Sequence, residues 1–151
     1  MPENFSWIIK DKLAGMERPG LVYRFEEDIE YLKRMRIGII INLEEHSRNY
    51  DDFETKHIPI GNFKVPRQED FLEFTDFVHS KLLFGNRVVV HCHAGMGRTN
   101  LMIASYIIYI SRMEPERALE YVMERRPLFS VNEEQIQALQ IYYNRFIKEL
   151  K

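Results

Sequence analysis

Short runs of β-branched and apolar residues alternate along this chain with longer stretches whose apolar positions recur every three or four residues. The runs at 5–9, 37–43, 56–60 and 87–91 read as strands, with a further short one at 12–14. Helical patterns fill the gaps. The first covers 19–35, with Leu21, Tyr31, Leu32 and Met35 among its apolar positions. Pro66 introduces the second, in which Phe71, Phe74, Val78 and Leu82 share a face. The stretch 99–113 is apolar on nearly every side, which predicts a central helix buried among its neighbours. Residues 116–126 follow, closed by Pro127. Residues 133–150 end the chain, with Ile136, Leu139, Tyr143, Phe146, Ile147 and Leu150 at helical spacing as core contacts.

Alternating strands and helices imply an α/β domain with a largely parallel sheet covered by helices. In such sheets ligands sit beyond the carboxyl ends of the strands. The 151 residues suit one domain, 1–151, with no repeat, linker or low-complexity tract. Charges nearly cancel at a formal −2 and no block of like charge stands out, so no nucleic-acid or membrane partner is expected. The longest apolar stretch, 101–110, is interrupted by Ser105 and is far shorter than the roughly 20 residues of a membrane span. Cys92 is the only cysteine, so no internal disulfide can form, and residues 1–20 lack the pattern of a signal peptide. The expected compartment is reducing and cytoplasmic.

That cysteine stands in HCHAGMGRT (91–99), where a strand runs through a glycine-containing loop into the buried helix. Amides at a helix start lack intrahelical acceptors, and the helix dipole adds partial positive charge, so an oxyanion is favoured there. Gly95 and Gly97 allow positive φ, which lets successive amides point inward. Arg98 carries a planar fork matched to two phosphate oxygens, and the same positive surroundings favour a thiolate at Cys92. Thr99 can hydrogen-bond the sulfur, and His91 can fix the loop through backbone contacts.

The stretch resembles the His-Cys-x5-Arg-Ser/Thr phosphate loop of cysteine-based protein tyrosine phosphatases, in their small dual-specificity branch. NFSWIIKDKLAGM (4–16), IIINLEE (39–45), HIPI (57–60) and RRP (125–127) are similar to landmarks of the compact, VHZ-type atypical members. The resemblance implies a central sheet of about five strands flanked by helices, a phosphocysteine intermediate, no metal and no cofactor. It implies a phosphorylated protein substrate, phosphotyrosine with phosphoserine and phosphothreonine as further candidates, and inhibition by phosphate-like oxyanions. Cys92 would attack phosphorus. The amides of His93, Ala94, Gly95, Met96, Gly97 and Arg98, with the Arg98 side chain, would hold the equatorial oxygens. Thr99 would assist departure of the thiolate, and Glu45 matches a position that can brace the arginine.

Relatives carry a general-acid aspartate after a strand like HIPI, and here Asn62 stands at that place. Asparagine has no acid proton to give. Glu133 is the preferred substitute, with Glu134, Glu69 and Asp70 as alternatives. A phosphoryl-binding module with weak activity, and a phosphatase acting on nucleic-acid 5′-phosphates or phosphoinositides, are the competing readings. Loop residues His93 and Met96 stand where inositol-phosphate enzymes often carry lysine, which favours protein substrates. Asn100, where many relatives have glycine, is expected to have only a local packing consequence. Lys64 and Arg67 flank the Asn62 loop and could guide an acidic phosphopeptide. His57 is expected to border a strand, and His46 and His79 to be exposed. RNYDDFE (48–54) reads as an exposed turn without chemistry.

Overall fold

A computed structural model describes residues 1–150. In chain order the elements are β1 (Ser6–Ile9), β2 (Leu13–Met16), α1 (Phe25–Arg34), β3 (Ile39–Asn42), β4 (Glu54–His57), α2 (Gln68–Leu83), β5 (Val88–His91), α3 (Arg98–Ser111), α4 (Pro115–Arg125) and α5 (Glu133–Phe146). A 3-10 turn, Lys148–Leu150, closes the described chain. The sheet runs β1-β2-β5-β3-β4, antiparallel between β1 and β2 and parallel elsewhere. Its centre is β5, three valines and a histidine buried at every position. Branched side chains at consecutive apolar positions suit a strand covered on both faces.

Both faces are covered. Leu13, Ile39, Ile41, Val88 and Val90 point to the side where α2, α4 and α5 surround α3. Ala14, Met16, Ile40 and Val89 point to the other, beside Leu32 and Ile29 of α1. As the middle layer of the larger side, α3 is buried continuously from Arg98 to Ile108, which accounts for its apolar circumference. A left-handed Arg112 (φ 62°) ends it, and Pro115 opens α4 at its first position.

Several boundaries differ from the pattern-based expectation. The helix expected over 19–35 begins only at Phe25, because Pro19 and Gly20 form a tight turn. There the Leu21 N–H donates to the Arg18 carbonyl at 3.2 Å and Gly20 has φ +84°. The strand expected over 56–60 lies at Glu54–His57, since Pro59 has no N–H for the ladder. The N–H groups of Ile58 and Ile60 still donate to the Asn42 and Leu43 carbonyls, both at 3.0 Å. The last helix stops at Phe146 rather than 150.

Parallel register places Met16, His91, Asn42 and His57 in one row, the carboxyl ends of all four parallel strands. The loop after His91 therefore leaves from the middle of that edge.

Candidate active site

Residues 92–97 form a loop whose carbonyls are held from outside. His91 Nδ1 reaches the Cys92 carbonyl at 3.0 Å, and the Arg18 N–H reaches that of His93 at 3.0 Å. The Asn4 amide donates to Ala94 at 3.3 Å and Gly95 at 3.0 Å, and Arg126 Nη2 also binds Gly95 at 2.6 Å. The Met96 carbonyl accepts from the Ser130 N–H at 2.9 Å and the Asn100 amide at 3.0 Å. Among the described residues, none accepts a hydrogen bond from the backbone N–H groups of residues 93–97. The loop thus has its acceptors committed and its donors free, the polarity of an anion nest. Gly95 sits at φ +76°, where a Cβ would strike the Met16 carbonyl. Gly97 does not need the positive φ expected of it, at φ −104°; a Cβ there would lie 2.9 Å from the Ser130 carbonyl oxygen.

Cys92 stands at the start of this loop, 3% exposed, and its Sγ accepts a hydrogen bond from Thr99 Oγ1 at 3.1 Å. One turn of α3 supplies both Thr99 and Arg98. Arg98 Nη1 donates to the Ile60 carbonyl at 2.8 Å, which holds one branch of the fork and leaves Nε and Nη2 as its open edge. Behind the loop, His91 is fully buried. A carbonyl can only accept, so Nδ1 of His91 carries the proton, and Nε2 accepts from the Tyr50 hydroxyl at 2.9 Å. Burial is the main cause that lowers His91 from its ordinary 6.5 to about 4, opposed by the Cys92 contact and aided by Arg48, Arg18 and Arg98. Burial likewise raises the Tyr50 hydroxyl. The 48–54 stretch therefore contributes a buried tyrosine to the support of the loop, contrary to the expectation of an exposed turn without chemistry.

Arg126 is the second support. Fully buried, it donates at 2.6–2.9 Å to Asn100 Oδ1, Ser6 Oγ and the carbonyls of Asn4, Gly15 and Gly95. Burial lowers its guanidinium to about 10, with the neighbouring Cys92 opposing the shift. Asn100 therefore does more than pack locally: it joins Arg126 to the carbonyls of Met96 and Leu128.

Beside the loop opens a cleft of about 120 Å³ with Cys92, Arg98 and Met96 on its floor and Asn62, Phe63, Ser130 and Gln135 on its walls. None of its lining residues carries a carboxyl group. Glu133 and Glu134 are exposed in the first turn of α5, where Gln135 instead faces the cleft. Glu69 is exposed, and Asp70 is committed to capping α2 through the Arg67 N–H at 2.8 Å and its guanidinium at 2.9 Å. Glu45 is exposed too and lines only an adjoining shoulder. The buried carboxylate is its neighbour Glu44, 3.2 Å from Arg18, 3.6 Å from Arg48 and 3.8 Å from both His91 and His93. Asn42 shapes this segment by accepting from the Glu44 N–H and donating to the His46 carbonyl, both at 2.8 Å. His57 ends β4 and donates from Nε2 to the Glu44 carbonyl at 2.7 Å. His79 is half-buried rather than exposed, 3.2 Å from the Tyr106 hydroxyl.

A family model described as the dual specificity phosphatase catalytic domain matches residues 23–145. The chain belongs to this family. It is 28% identical to the phosphatidylglycerophosphate phosphatase PTPMT1 of Arabidopsis thaliana, over 95% of this chain and 44% of that protein. It is 31% identical to human dual specificity protein phosphatase 1, over 68% of this chain and 29% of that protein. The chain thus spans less than half the length of these curated relatives. Among solved structures, Tk-PTP in its active form superposes with a TM-score of 0.82 at 22% identity, covering 97% of this chain and 100% of that one. PTPMT1 in complex with PI(5)P superposes with a TM-score of 0.84 at 19% identity, covering 99% of this chain and 100% of that one. The fold is that of the protein tyrosine phosphatase and dual-specificity phosphatase superfamily. Among the described residues, no helix is long and apolar enough to cross a membrane.

Proposed function

We propose that this dual-specificity phosphatase domain hydrolyses phosphotyrosine in proteins through a covalent phosphocysteine intermediate. The observation that carries the reading is the loop with its carbonyls bound from outside and its amides unclaimed, beginning at Cys92 and ending at Arg98. An oxyanion in that loop meets backbone N–H groups, the start of α3 and the open edge of the Arg98 fork. Cys92 Sγ then attacks phosphorus, and the charge that develops on the equatorial oxygens is met by donors already in place. Thr99 donates to the sulfur and steadies it as a leaving group when water releases phosphate. The chemistry uses no cofactor or metal, and phosphate-like oxyanions compete for the same loop. A nucleophile of this kind works reduced, in keeping with a cytoplasmic setting.

Phosphotyrosine is favoured by Phe63, an aromatic wall of the cleft, 65% exposed and placed to meet a phenyl ring. The same exposed apolar lip supports a second reading, a phosphorylated lipid headgroup, the class named for the Arabidopsis relative. The test is a matched-concentration panel of phosphotyrosyl and phosphoseryl peptides, phosphatidylglycerophosphate in mixed micelles, and a 5′-phosphorylated oligonucleotide. Phosphotyrosyl peptide should be turned over fastest, and Cys92→Ser should turn over none. A faster lipid substrate would select the second reading, and turnover by Cys92→Ser would end the covalent mechanism.

A further inference from the structure

When Cys92 displaces the ester oxygen of a phosphomonoester, that oxygen leaves as an alkoxide or phenoxide and needs a proton. Asn62 cannot supply one, and no carboxyl group lines the cleft. The proton-bearing lining side chains other than Cys92 are His93 and Arg98, apart from the hydroxyl of Ser130 and the amides of Asn62 and Gln135, and a guanidinium does not release its proton in a protein. We propose that His93 is the proton donor and that Glu44 is its positioning residue, an assignment that rests on the phosphatase reading above.

Position is the first support. The His93 side chain is half-exposed and lines both the cleft over Cys92 and the shoulder beside it, as Asn62 does, so the two residues flank one mouth. Its carbonyl accepts from the Arg18 N–H at 3.0 Å, which fixes the backbone from which the side chain extends. Glu44 is the second support. This carboxylate is 7% exposed, its Oε2 lies 3.8 Å from His93 Nδ1, and its Oε1 is buried without a hydrogen-bond partner. The unpartnered Oε1 faces Arg48 and His91, while Oε2 accepts from Arg18 at 3.2 Å and faces His93, so this buried carboxylate beside the loop is a counter-charge that His93 shares with Arg18. With Nδ1 turned to Glu44, Nε2 is the nitrogen available to a bound substrate.

The surrounding charges set the balance. Arg18 at 3.2 Å and Arg48 at 3.6 Å also draw on Glu44, Arg98 lies in the cleft, and Glu45 and His46 line the shoulder. His91, 3.8 Å from Glu44 Oε1, is kept neutral by burial and competes little. In the first step a sulfur–phosphorus bond forms, the phosphorus–oxygen ester bond breaks, and the N–H proton of the His93 imidazolium passes to the departing oxygen. In the second, neutral His93 takes a proton from the attacking water, phosphate leaves, and the Cys92 thiolate and His93 imidazolium are restored. Histidine suits both halves because it exchanges protons near neutrality.

The experiment measures kcat/KM against leaving-group pKa for a series of aryl phosphates, from 2,4-dinitrophenyl to phenyl, in wild type, His93→Gln, Glu44→Gln and Glu133→Gln. For His93→Gln, the loss on phenyl phosphate should exceed the loss on dinitrophenyl phosphate by about 10²-fold or more, and the basic limb of the pH profile should disappear. Glu44→Gln should move that limb and steepen the leaving-group dependence less. Equal losses on all substrates would mean that His93 serves only binding or loop structure, and would overturn the assignment. A steepened slope in Glu133→Gln with none in His93→Gln would overturn it in favour of that carboxylate. If wild type shows no Cys92-dependent turnover of any member of the series, the phosphatase reading itself falls and the assignment with it.

Discussion

His91 illustrates how a single buried side chain ties the loop to the stability of the whole chain. It is neutral in the fold because burial brings it to about 4, whereas an unfolded chain leaves it near 6.5. Between those values the unfolded chain binds the extra proton, so the stability present above about pH 6.5 is lost as pH falls toward 4. Wild type should therefore lose about 2 kcal/mol more than His91→Asn between pH 7 and pH 5, read from urea unfolding at each pH. Equal losses in the two proteins would contradict the buried neutral imidazole. Cys92, Arg98 and Thr99, the residues proposed to carry the chemistry, stand out as candidates in the sequence because they lie in one continuous stretch across a strand–loop–helix junction. Tyr50 was not, since its bond to His91 spans 41 positions and nothing in RNYDDFE marks a tyrosine that folds inward. Glu44 and Glu45 are adjacent acidic residues in the sequence. Which one is buried is set by the local turn that Asn42 builds together with the distant Arg18, His91 and His93 that surround Glu44, and the latter are a tertiary fact.

At the scale of elements, the strand and helix order followed from periodicity, while the boundaries followed from proline and from special backbone angles. Pro59 shortens a ladder, Pro19-Gly20 delays α1, and the left-handed Arg112 stops α3. These are local rules overriding an apolar pattern that continues past them. Glu133, the expected general-acid substitute, lies outside the cleft lining for a related reason. Glu133 does lie at the start of α5, but its position in the first turn presents it to solvent and presents Gln135 to the cleft. Arg126, just past α4, joins β1, β2, the Cys92 loop and α3 through contacts separated by up to 122 positions. The sequence offered only the RRP landmark for it. Arg126→Met should lower stability by about 3–5 kcal/mol, because it strands several buried acceptors at once. Denaturant unfolding checks this, and a loss under 1 kcal/mol would mean that water or rearrangement replaces the guanidinium.

For the whole molecule, the parallel register puts four strand ends in one row and sends the Cys92 loop out from its middle, with α3 starting directly behind. Placement at the carboxyl edge follows from strand and helix alternation alone, before any motif is considered. The supports behind the loop come instead from the N-terminal segment, the β3–β4 connection and the segment after α4. The shape of the Cys92 loop is thus a property of the closed fold as much as of its nine-residue motif. The central claim is that Cys92 carries phosphate in the reaction, and acid quenching tests it most directly. Wild type mixed with a radiolabelled phosphotyrosyl peptide and quenched within a turnover should hold label on the proteolytic peptide that contains Cys92, and Cys92→Ser should hold none. Label on another residue, or undiminished phosphate release by Cys92→Ser, would contradict the account.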